Sequence, residues 1–211
     1  MTAGHEMTSL LKGSRLVDLF DRLTQQWHDQ AEAADGAETH MHDEVETLHR
    51  HNYSLWHLED EARRLDVADA VIVQCKRSID RHNQRRNDAI EAIDLWIFNE
   101  LKTAPASPEA EMNSETPGSI IDRLSISSLK IYHMQQEIVR PDVAAEHVRK
   151  ARERLAILQE QRCDLVLALD RLADDLIDGR KRHKLYRQFK MYNDPATNPA
   201  LYKKESQKQG L

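Results

Sequence analysis

Hydrophilic side chains interrupt three apolar stripes in this sequence, and they are of the kinds that bind small anions. Winding the chain at about 100° per residue lays Met41, Val45, Leu48, Leu55 and Ala62 along one helix face. Asn52 and Glu59 fall in the middle of that stripe, with Trp56 and Arg63 beside them. Further on, Ile72, Ile79, Ile90 and Ile97 align, with Asn83 at the centre and Arg86 and Lys76 on opposite flanks. A third stripe runs through Val148, Ala151, Leu155, Leu158, Val166 and Leu169, with Arg162 among them. A buried polar group without a partner costs about 1–3 kcal/mol, and a lone buried charge costs more. These residues therefore need one another or a ligand. In an internal network, Glu59 pairs with Lys76 or Arg162 and the asparagines fix register. In a pocket between the second and third helices, Arg63, Lys76 and Arg86 contact an anion, with the two arginines as its clamp. Asn52 and Asn83 orient the anion, Trp56 forms a wall and Glu59 holds the cationic groups in place.

Other chemistries leave weaker marks. Helical di-metal sites use Glu together with Glu-x-x-His on facing helices. Glu46-x-x-His49 is one such element, with His42 on the same face, and His133-x-x-x-Glu137 can face another helix. The second Glu-x-x-His is missing. Glu59, Asp60, Glu91 and Asp94 have the hard oxygen donors that Mg²⁺ prefers, as in all-α nucleotide pyrophosphatases. Arg63 stands where that pattern wants a third acid, and helical rise puts Glu91 roughly 30 Å from Glu59. There is no Gly-x-Ser-x-Gly, Gly-rich phosphate loop or Cys-x-x-Cys. Cys163 follows Arg162 and is expected in the core.

Four long helices and a shorter first one must position these residues. No glycine or proline lies between Ala37 and Ala104, or between Asp142 and Asp178, and either residue weakens a helix interior. The expected helices run from about Ser14 to Asp29 with Ser14 as N-cap, His40 to Arg64, a start capped by Asp66 to Asn99, Ser119 to Val139 and Val143 to Asp178. No segment alternates apolar and polar residues for long, so no sheet is expected. The short break near Leu65–Asp66 makes the second and third helices antiparallel neighbours. The fold class is all-α: an antiparallel bundle over residues 1–178, interrupted by a loop at about 101–118.

Residues 179–211 carry nine Lys or Arg and two acids, on a chain whose net charge is −6. Six of those basic residues lie within 180–190, interleaved with Tyr186, Phe189 and, just beyond, Tyr192 at helical spacing. The expected structure is a basic helical extension docked on the acidic bundle. The same segment is a candidate surface for nucleic acid or a protein partner, because cations attract phosphates and rings stack on bases. No apolar run reaches the roughly 20 residues of a membrane helix. The N-terminus has no apolar signal core, and two cysteines are too few for a disulfide scaffold. The chain is expected in the cytoplasm, away from membranes.

LWHLEDEAR (55–63), KRSIDRHNQRRNDAIE (76–91), ETPGSIIDRLSISSLKIYHM (115–134) and YRQFKMYNDPATNP (186–199) resemble the motif blocks of an uncharacterised bacterial family. Its members are helical, about 200 residues long and without an established activity. The resemblance implies a helical bacterial protein and supplies no catalytic residues or cofactor. The residues themselves favour a binding protein for a small polar or anionic ligand. The alternatives are a metal-dependent hydrolase of a phosphorylated or nucleotide metabolite, and an interaction module acting through the basic segment.

Overall fold

A computed structural model describes residues 11–29, 41–101, 106–187, 189, 191, 194 and 196–200. Its helices are α1 (Gly13–Asp29), α2 (Met41–Glu61), α3 (Asp69–Glu100), α4 (Pro117–Val139) and α5 (Ala145–Ile177). Two residues each form β1 (Glu111–Met112) and β2 (Lys181–Arg182). The fold is all-α, as the periodicity implies.

The helices pair as two hairpins. His51 of α2 meets His82 of α3 across the first, their Nδ1 atoms 3.1 Å apart. At the head of the second, His147 of α5 meets Glu137 of α4 at 2.8 Å. The amphipathic α1 buries Leu16, Leu19, Phe20, Leu23 and Trp27 against the core. Each such side chain contributes roughly 1.5–3 kcal/mol by leaving water. Ile93 and Ile97 of α3, Ile121 and Leu124 of α4 and Leu169 of α5 are fully enclosed with them. No helix among the described residues is long and apolar enough to cross a membrane.

Helix ends depart from the expected caps because partners distant in sequence supply them. Helix α1 begins at Gly13, before the anticipated Ser14 cap, and Asp170 of α5 accepts the Gly13 amide hydrogen at 2.8 Å. Asp66 does not cap α3. It binds Arg64 at 2.8 Å, and α3 starts after Ala68 with no side-chain cap. Helix α4 begins two residues earlier than expected. Thr116 is its N-cap and accepts from the Ser119 amide, Pro117 fits the first turn, and Asp94 of α3 accepts from the Gly118 amide at 2.7 Å.

The basic extension is not helical over residues 180–187. Gly179 takes a φ of 67°, and the amides of Gly179 and Arg180 bond back to Leu176 and Asp175. The chain leaves this cap extended and pairs Lys181 and Arg182 in parallel with Glu111 and Met112. That pairing also corrects the expectation of no strand. Arg180 and Lys181 reach Asp175 at 2.8 and 3.5 Å. The side chains of Lys190 and Tyr192 lie outside the described residues.

Candidate functional site

Six side chains singled out by the broken stripes line one cleft of about 340 Å³: Asn52, Trp56, Glu59, Arg63, Asn83 and Arg86. Helices α2 and α3 supply them, and Ile126 and Leu129 of α4 help to form the wall. The cleft thus lies among three helices, where the sequence suggested two. Lys76 is not among its lining residues; its side chain is exposed and pairs with Asp80 one turn on.

The floor is polar and ordered. Asn52 is buried and donates from Nδ2 to Asp122 Oδ1 at 2.8 Å and to Ser125 Oγ at 3.0 Å. Burial pushes the Asp122 carboxyl above its usual range, while Asn52 and Arg86 pull the other way. Arg86 Nε stands 3.9 Å from Asp122 Oδ1, within charge attraction but beyond a hydrogen bond. That Nε–H is buried and has no hydrogen-bond partner among the described residues. The rim is looser. Glu59 binds Arg63 at 2.7 Å, one helical turn away, with both side chains largely exposed.

The expected network around Glu59 therefore does not form. Glu59 pairs within α2, Lys76 pairs within α3, and Arg162 of α5 binds Asp21 of α1 at 2.8 Å. Local i,i+4 pairs form on one helix without any alignment of neighbours, and α1 covers the face that Arg162 presents. Cys163 is exposed; it is Cys75 that is buried.

The metal and magnesium candidates are also rearranged. Glu46 pairs with Arg50 at 3.1 Å, and the His42 side chain lies outside the described residues. His49 is fully buried, with Nε2 2.9 Å from Thr24 Oγ1 and Nδ1 2.8 Å from Ser125 Oγ. Desolvation pushes it down to about 3, so it is a neutral core residue with both nitrogens engaged. Asp94 is the tertiary cap of α4, bonded to Thr116 Oγ1 at 2.5 Å and to the Gly118 amide. With Glu91 it borders a second groove against Leu185 and Tyr186, separate from the cleft that holds Glu59 and Asp60. The four acids do not converge.

A histidine cluster abuts the cleft; the sequence names His133 as a possible metal element but does not join it to His28 and His57. His28 of α1, His57 of α2 and His133 of α4 each place a ring nitrogen within 4.8 Å of the others. His133 stacks on Trp56 at 4.5 Å, with the rings 3° from parallel. Tyr132 stacks on His28 at 4.2 Å, and Tyr53 meets His57 edge-on at 4.6 Å. Burial first, and then the neighbouring imidazoles, push His133 down to about 4 and lower His57 as well. The available sequence signal was the register of α1, which places His28 beside the core residue Trp27.

No curated protein and no solved structure matches this chain. A family model described as "Protein of unknown function (DUF4254)" matches residues 42–185, which takes in α2 through β2 and leaves α1 outside.

Proposed function

We propose, for a chain that belongs to the DUF4254 family of unknown function, that the cleft among α2, α3 and α4 binds a small polar anion. The observation that carries this reading is Arg86. Its Nε–H is buried in the wall of an open cleft and has no acceptor among the described residues, a state that costs about 1–3 kcal/mol until something accepts the bond. An oxyanion supplies such an acceptor along with charge complementarity. Asn52 and Asp122 hold the floor in place, Asn83 offers an amide for orientation, and Trp56 gives a flat apolar wall beside the polar groups. Glu59 restrains Arg63 at the rim, so Arg63 is available to close over a ligand at little cost.

Native mass spectrometry of the full chain, purified without fractionation, tests the reading directly. A bound small molecule is expected on the wild-type protein and on Lys76→Ala, and is expected to be lost from Arg86→Ala. Once that molecule is identified, calorimetry should show Arg86→Ala weakening it by roughly 10- to 100-fold, the worth of a charged hydrogen bond. Equal binding by the wild-type protein and a folded Arg86→Ala variant refutes the assignment.

A further inference from the structure

We propose that His28, His57 and His133 form a binding site for a first-row divalent transition-metal ion, with Zn²⁺ as the best-suited occupant. Three helices that are separate in sequence deliver the three imidazoles to one point, with a ring nitrogen of each within 4.8 Å of the others. The Nε2 atoms of all three are buried and lack hydrogen-bond partners among the described residues. One such orphan is tolerable, but three facing one another cost about 1–3 kcal/mol apiece unless they share an acceptor of their lone pairs.

Aromatic packing alone does not explain this arrangement. A packed imidazole can spend both nitrogens on hydroxyls, as His49 does with Thr24 and Ser125. His28 shows the pattern expected of a ligand. Its Nδ1 lies 2.7 Å from the Thr24 carbonyl oxygen. Only an N–H can bond there, so the proton sits on Nδ1 and the lone pair is on Nε2. This is the outer hydrogen bond that orients a metal-binding histidine. The stacks of Tyr132 on His28 and Trp56 on His133 fix the planes of two rings.

The dimensions and donor types select the ion. Zinc binds imidazole nitrogen at about 2.0–2.1 Å, so each ring must move inward by less than about 1 Å to reach a common ion. An all-nitrogen set suits zinc, copper, nickel or iron and not the oxygen-seeking Mg²⁺ or Ca²⁺. Asp60 follows His57 by three residues on α2, and its charge acts on both His57 and His133. Its carboxylate is a candidate for a fourth ligand or for holding a bound water. Asp60 and Trp56 also line the anion cleft, so the ion would stand at the edge of that cleft.

The test uses the full chain, stripped with chelator and then titrated separately with ZnCl₂, CoCl₂ and MgCl₂. One equivalent of Zn²⁺ or Co²⁺ is expected to bind and raise the melting temperature, and Mg²⁺ is expected to do neither. His57→Gln and His133→Gln should each weaken Zn²⁺ binding at least tenfold, while Arg86→Ala and Glu46→Gln should leave it unchanged. If a histidine variant fails to fold, X-ray absorption of the zinc-loaded wild-type protein decides instead. Three imidazole ligands support the assignment; a sulfur ligand or fewer than three imidazoles overturns it. Absence of stoichiometric binding by any transition ion also overturns it, and leaves the anion cleft standing, since Arg86 lies outside the triad.

Discussion

Asn52 and Arg63 line the same cleft, yet they should differ sharply in what they do for the fold. Asn52 Nδ2 supplies the hydrogen bonds that the half-buried Asp122 and the buried Ser125 accept from this side. Asn52→Ala removes that donor from a carboxylate already strained by burial, and should cost about 1–3 kcal/mol. Arg63 makes an exposed pair one turn along its own helix, and Arg63→Ala should change stability by less than about 1 kcal/mol. Urea denaturation of the two variants checks this: equal midpoints would mean that the floor of the cleft is not a structural network. The sequence placed both residues near one stripe but could not rank them. Burial and partners distinguish them, and neither is a property of spacing.

At the scale of elements, the fold rests on helix ends that other helices complete. Asp94 in the last turns of α3 takes the Gly118 amide and the Thr116 hydroxyl, and so docks the start of α4. A Cβ at Gly118 would meet Asp94 Oδ1 and the Ile90 carbonyl oxygen, each at 2.8 Å. Backbone cannot yield as a side-chain tip does, so Gly118→Ala should destabilise by roughly 1–3 kcal/mol through overpacking. Calorimetric melting would show this as a drop of several degrees, and an unchanged transition would refute the contact. In the sequence Gly118 falls at the end of the expected loop, one residue before the anticipated helix start at Ser119. Its need for close approach came only from α3, as the cap of α1 came only from Asp170. Arg162 interrupts the apolar stripe of α5 and is itself partly exposed. Its partner was misassigned, because the packing of α1 over Arg162 is not encoded in α5.

The whole molecule has opposing responses to acid. His49 has a folded-state value of about 3 against an ordinary 6.5, so the unfolded chain binds its proton more readily between those limits. Its contribution to stability is complete above pH 6.5 and is lost as pH falls toward 3. At pH 4.5 the loss is roughly 2–3 kcal/mol. Asp94 works the other way. Burial raises it from 3.8 to about 6, so its destabilising charge is relieved on acidification, returning roughly 2 kcal/mol between pH 7.5 and 4.5. Burial also lowers His82 and His183, which tips the balance toward histidine. Urea midpoints should therefore fall from pH 7.5 to 4.5, and His49→Gln should shrink or reverse the fall. A wild-type protein more stable at pH 4.5 would contradict this. Much of the architecture was legible in advance: the five helices among the described residues, their approximate limits, and six residues that line one cleft. Helical periodicity and the absence of glycine and proline act over a few residues, so one-dimensional information is enough to determine them. Which hydrophilic groups meet is different in kind. Asn52 and Asp122 are 70 residues apart, and His28, His57 and His133 belong to three helices. Their meeting depends on how apolar faces pack and how each helix is rotated about its axis, and only the folded chain settles those.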